Sequence, residues 1–134
     1  PAVLVDVATL TGAASLGLGR RHAALYSTDD ALAAQLTEAA ATSGERAWRM
    51  PLVEDYRTAV DSDVADLRQA VTEPGHGAGS ITAALFLREF AAGRPWAHLD
   101  IAGPARSDKD EHEVPKGATG YGARLLLRWL ESLP

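Results

Sequence analysis

Trp96-Ala97-His98-Leu99-Asp100-Ile101-Ala102-Gly103-Pro104-Ala105 decides how this chain reads. A short apolar run stops abruptly on small residues and a proline, the pattern of a buried strand that empties into a loop. In open α/β sheets, ligands gather where strand ends release their loops. Two further stretches are expected to converge on this one: Val5-Asp6-Val7-Ala8-Thr9-Leu10-Thr11-Gly12-Ala13 and Lys116-Gly117-Ala118-Thr119-Gly120-Tyr121-Gly122.

The chain has 134 residues, enough for one domain with a sizeable core. Its formal net charge of −5 argues against a nucleic-acid or anionic-membrane surface, which wants a basic patch. No apolar run approaches the ~20 residues of a membrane span. There is no Cys, hence no disulfide framework and no thiolate metal site, which suits the cytoplasm. An apolar strand follows Pro1 at once, so the sequence reads as a piece of something longer.

Outward from the opening stretch, residues 2–10 are β-branched and apolar except for Asp6, as expected of a strand covered on both faces. Residues 22–27 make a second short strand. Thr28 or Asp29 can cap a helix running to about Thr42, with Gly44 as its stop. Trp48-Arg49-Met50 is extended ahead of Pro51. Residues 54–60 form a short helix, and residues 80–92 a helix apolar nearly all round, which implies deep burial. In the last helix, from about Thr119 or Gly120, Leu126, Trp129, Leu130 and Leu133 form the apolar stripe, with Arg124, Arg128 and Glu131 on the wet face. Strands alternating with helices predict a three-layer α/β/α sandwich around a mixed sheet.

Several residue groups could carry chemistry. Gly75-His76-Gly77-Ala78-Gly79-Ser80 resembles a phosphate cradle, but its spacing fits neither a dinucleotide fingerprint nor a P-loop; a close-packed helix entry is the favoured reading. Asp108, Asp110, Glu111, His112 and Glu113 crowd one loop and match no EF-hand, so they read as a solvated cluster. His22 and His98 sit in apolar runs and read as satisfied core residues. Asp6 and Asp100 interrupt strand-like runs, and a buried carboxylate must find hydrogen bonds or a counter-charge. Anchoring loop amides or a basic side chain is the favoured role for both, with metal binding as the alternative.

Five segments resemble the C-terminal part of the catalytic domain of the leucyl (cytosol) aminopeptidases. They are residues 5–13, Trp48-Arg49-Met50-Pro51-Leu52, Gly79-Ser80-Ile81-Thr82-Ala83-Ala84-Leu85-Phe86-Leu87, the opening stretch 96–105, and Lys116-Gly117-Ala118-Thr119-Gly120. They follow the family's order over nearly the whole chain. The resemblance implies a metallo-exopeptidase that releases N-terminal residues, often leucine, from peptides, using two divalent ions (zinc or manganese) and assembling as a hexamer. It also implies that the family's catalytic Lys and Arg and its Asn-Thr-Asp-Ala-Glu-Gly-Arg ligand motif lie upstream of the first strand; that motif does not occur in the 134 residues. No catalytic residue or metal ligand is therefore assigned in this chain, and no tightly bound metal is expected.

By the same resemblance this chain supplies substrate-pocket walls. The main-chain carbonyl of Leu10 faces the substrate amine, and Thr9, Gly12, Ala102 and Ala105 line the pocket for the first side chain. Ala105 replaces a bulkier residue of some relatives, which widens the pocket. Arg68-Gln69 stands where the family commonly has Asn, and residues 70–78 do not align cleanly. Two rival readings remain: a non-catalytic assembly module on the same fold, and a small-ligand binder using the loop 75–80.

Overall fold

The strand expected at the opening stretch is β4 (Trp96–Asp100), and every one of its residues is buried. A computed structural model describes residues 1–71 and 75–134. Around β4 lie β1 (Leu4–Ala8), α1 (Gly12–Leu18), β2 (Ala23–Ser27), α2 (Asp30–Ser43), β3 (Ala47–Arg49) and α3 (Gly79–Arg88). After it come β5 (Arg106–Ser107), β6 (Gly117–Ala118) and α4 (Ala123–Glu131), and short 3-10 helices cover Glu54–Val60 and Glu89–Ala91. The sheet order is β1-β4-β2-β3. The β1–β4 and β2–β3 pairs are parallel and β4–β2 is antiparallel, so the sheet is mixed.

Side chains alternate across a strand, so each strand feeds both layers. Ala23, Leu25, Ala97 and Leu99 point to one face, against Leu32 and Leu36 of α2 and Leu125 and Trp129 of α4. Ala24, Tyr26 and Trp96 point to the other, against Ala14 of α1 and Ala84 of α3. This is the three-layer α/β/α arrangement.

Local signals place the helix ends. The Asp29 carboxylate accepts from the Leu32 amide at 2.8 Å and caps α2. Gly44 ends α2 in the left-handed region at φ 75°, where a side chain would be strained.

Three expectations need correction. β1 is an edge strand, half-covered, with Val7 38% exposed rather than sealed on both faces. The helix expected at residues 80–92 is shorter: α3 has no exposed residue, as deep burial implies, but it gives way to the 3-10 turn Glu89–Ala91, where Phe90 is 63% exposed. In α4 the stripe has a different phase. Leu125 and Trp129 are buried with Leu126 packed beside them, whereas Leu130 is 56% exposed. The reason is the contact with α2, which meets the Leu125–Trp129 line of the helix.

Candidate functional site

β1 and β4 run parallel with Ala8 beside Asp100, so both strands release their chains at one end of the sheet. Asp100 is 1% exposed, and its carboxylate gathers the loops that leave. It accepts from the amides of Leu10 at 3.2 Å, Thr11 at 3.1 Å and Ala102 at 3.1 Å, and from the Thr11 hydroxyl at 2.6 Å. That donor set is what a buried carboxylate requires. Thr11 passes the link onward, because its Oγ1 accepts from the Ala14 amide at 3.1 Å as the N-cap of α1. The anchoring role expected of Asp100 is the one observed.

The turn after β4 is pressed against the far end of α1. A side chain on Gly103 would put its Cβ 2.3 Å from the Gly19 carbonyl oxygen, so the backbone approach there requires glycine. The third loop is tied to this turn. The Thr119 amide donates to the Ala105 carbonyl at 3.0 Å, its hydroxyl donates to the Pro104 carbonyl at 2.6 Å, and β5 pairs with β6. The three stretches singled out in the sequence do meet.

The residues expected to line a pocket occupy this junction unequally. Leu10 and Ala102 are drawn onto Asp100 through their amides. Gly12 opens α1 directly after Thr11, with open space where a Cβ would stand. Ala105 is half-buried and closes the turn through its amide to the Ile101 carbonyl at 2.9 Å. Thr9 is exposed on the link between β1 and Leu10. Leu10 and Thr11 also form one wall of a cavity of about 360 Å³, whose other walls include Val60, His76 and Thr82. Thr9, Gly12, Ala102 and Ala105 do not line that cavity.

A second polar group lies on the same face, two residues back along each strand. Asp6 accepts from the Trp96 indole N–H at 2.7 Å and meets His98 Nδ1 at 2.5 Å. A carboxylate accepts, so Nδ1 carries the hydrogen. His98 Nε2 is buried without a partner, so the expectation of a fully satisfied core histidine is met at one nitrogen only. The His98 ring stacks between Trp96 and Tyr26, 6.2 Å from each. Tyr26 donates its hydroxyl to Ser80 Oγ at 2.8 Å, and burial pushes its phenol above the ordinary range.

In the loop at 75–80, the close-packed helix entry is seen at Gly79, whereas Gly75 and Gly77 have open space around them. A Cβ on Gly79 would stand 3.3 Å from Ala13 Cβ, so the small residue lets α3 lie close to α1. Residues 72–74, within the stretch that did not align cleanly, lie outside the described residues.

Sequence reasoning missed Glu45. It is 5% exposed, and its carboxylate accepts from the amides of Gly122 at 3.1 Å and Leu125 at 2.8 Å. Gly122 has no side chain with which to cap α4, and Glu45 supplies the acceptor from across the fold.

Among the described residues, no group of three or more His, Asp or Glu side chains could hold a metal ion. Asp6 and Asp100 are engaged as above. In the 108–113 loop, Asp108 pairs with Arg20 at 2.9 Å, Glu111 with Arg21 at 2.5 Å, and Asp110 accepts from the Lys116 amide at 2.8 Å. The donors described do not fit a two-metal centre.

The catalytic-domain model of the cytosol aminopeptidase family matches residues 1–127. This chain belongs to that family. A probable cytosol aminopeptidase of Trichormus variabilis is 54% identical over 129 residues, covering 96% of this chain and 26% of that protein. One from Roseiflexus castenholzii is 52% identical over 131 residues, covering 97% and 26%. Among solved structures, a mutant of tomato leucine aminopeptidase superposes with a TM-score of 0.86 at 42% identity, over 96% of this chain and 24% of its own. The bottromycin maturation enzyme BotP in complex with Mn gives a TM-score of 0.88 at 46% identity, over 96% and 28%. The chain thus spans about a quarter of the length of these relatives. No helix among its described residues is long and apolar enough to cross a membrane.

Proposed function

We propose that this sequence acts as the substrate-facing part of a metal-dependent aminopeptidase that releases N-terminal residues, leucine among them, from peptides. Family membership supports the reaction class. The observation that carries the role is the Asp100 carboxylate, which holds Leu10, Thr11 and Ala102 together at the exit of β1 and β4. In this reading the Leu10 carbonyl receives the substrate amine, and Thr9, Gly12, Ala102 and Ala105 shape the space for the first side chain. Small residues suit that task, because the volume they leave is what an aliphatic side chain fills. Ala105 makes the pocket wide.

The metals belong to segments the relatives carry beyond the matched quarter. What these residues do is bind and orient the peptide terminus and exclude water from its apolar side chain. The same reading places the working enzyme in the cytoplasm as a hexamer, supported by the relatives' names for the compartment and by the family resemblance for the assembly.

Gly12→Leu, made in the protein carrying a complete catalytic domain, tests the pocket. Leucine release from leucine p-nitroanilide is expected to fall while metal content stays the same. Unchanged release would remove Gly12 from the pocket wall. The 134-residue chain alone is expected to retain no zinc or manganese after gel filtration and to leave the same substrate intact. Robust hydrolysis by it would place the catalytic residues inside this sequence.

A further inference from the structure

A cavity of about 640 Å³, lined by Pro104 and Arg106 of the turn after β4, shares no lining residue with the Leu10 cavity. Its basic lining consists of Arg20, Arg21, Arg46, Arg106, Lys109 and Arg124, against four acidic side chains. A local excess of cations in a chain of net charge −5 is not a reflection of overall composition.

The acids are already engaged. Glu45 gives both carboxylate oxygens to the start of α4. Asp108 pairs with Arg20, Glu111 with Arg21, and Glu113 lies 3.7 Å from Arg124. Among the described residues, the guanidinium groups of Arg46 and Arg106 have neither an ion pair nor a hydrogen bond, although both line the cavity. The neutral donors nearby are also engaged. The hydroxyls of Ser107, Thr119 and Tyr121 each donate to a backbone carbonyl. Recognition of an incoming group therefore falls on the two unpaired guanidinium forks, which match paired oxygens bidentately.

We infer that this cavity is a binding site for a compact oxyanion bearing two or more negative charges, held by Arg46 and Arg106. Phosphate groups and clustered carboxylates share that chemistry. The cavity shares none of the residues proposed to face the peptide, although Pro104 and Arg106 flank Ala105.

Isothermal titration with pyrophosphate and with citrate, each at ionic strength matched with sodium chloride, tests the inference and separates the two sources. Saturable one-to-one binding of at least one probe is expected, weakened tenfold or more by Arg106→Gln and by Arg46→Gln. Arg128→Gln, on the wet face of α4, should leave it unchanged. Both cavity arginines are exposed, so far-UV circular dichroism should not change; Arg46→Lys, which keeps the charge and loses the fork, serves as a second variant and should also weaken binding. No saturable binding of either probe, or equal loss in Arg128→Gln, would overturn the site.

Discussion

On the sheet face covered by α2 and α4, Leu25, Leu36, Leu99 and Leu125 are sealed from solvent and meet one another through apolar atoms alone. On the face covered by α1 and α3, Tyr26, Trp96, His98 and Asp100 are as deeply buried, and each donates or accepts a hydrogen bond. The same strands build both faces from alternate residues. Apolar burial is non-directional and scales with area, so the first face sets how stable the sheet is. Hydrogen bonds to a buried carboxylate are directional, so the second face sets where the loops go.

Neighbouring residues of β4 allow the contrast to be broken directly. Leu99→Ala should cost about 2–5 kcal/mol by urea unfolding, through lost transfer energy and a cavity, and should raise amide exchange throughout the core. A loss under about 0.5 kcal/mol would mean that the apolar face does not carry the stability. Asp100→Asn should cost less, about 1.5–3 kcal/mol, because the amide group turns a donor toward the Leu10 and Thr11 amides. Its signature is local: exchange should accelerate at Leu10, Thr11 and Ala102 ahead of the rest. If those amides stay protected, the carboxylate is not what holds the loops.

Tyr26→Phe sharpens the comparison with a smaller effect, about 0.5–1.5 kcal/mol, by deleting the hydroxyl bonded to Ser80. It also has a pH signature. Burial raises the phenols of Tyr26 and Tyr121 in the folded chain, with the Glu45 carboxylate adding to the rise at Tyr121. Folded tyrosines then hold their protons where unfolded ones lose them. Stability is therefore full below about pH 10 and falls as pH rises beyond it. The urea midpoint of the parent protein should drop between about pH 9 and 11, and less steeply in Tyr26→Phe. Equal slopes would take Tyr26 out of the buried polar row. The smallest effect is expected at Arg128→Ala, under about 0.5 kcal/mol, since the Arg128–Glu131 pair is exposed on α4 and solvent screens it.

Features governed by neighbours in sequence were legible. The Asp29 cap, the Gly44 stop and the strand that ends on Ala102-Gly103-Pro104 each follow from residues within a turn of one another. The convergence of three loops was legible too, since strand ends in an open sheet gather on one side. The phase of α4 was not, because three successive leucines, Leu125 to Leu127, fit more than one stripe, and only contact with α2 selects among them. Glu45 was hidden for a related reason. Between Gly44 and Arg46 it reads as a polar loop residue, and the amides it caps lie 77 and 80 positions away. At the candidate site, Asp100 announced itself as a carboxylate inside an apolar run. The pairing of Asp6 with both Trp96 and His98 depends on strand register, which a single sequence does not display.

The register also has a consequence in time. Asp6 and His98 are 92 positions apart, and β4 is the one strand that pairs with β1 among the described residues. At a translation rate of about 5–20 residues per second, β1 leaves the ribosome roughly 5–20 seconds before its partner exists. Long-range parallel pairing is slow to nucleate in any case, because the loop must close before the contacts reward it. The Asp100 clamp needs both strands, so the loops it gathers take shape late in folding. Until β4 is made, the apolar segment 2–10 has no strand partner among the described residues, and an unpaired edge of that kind invites association.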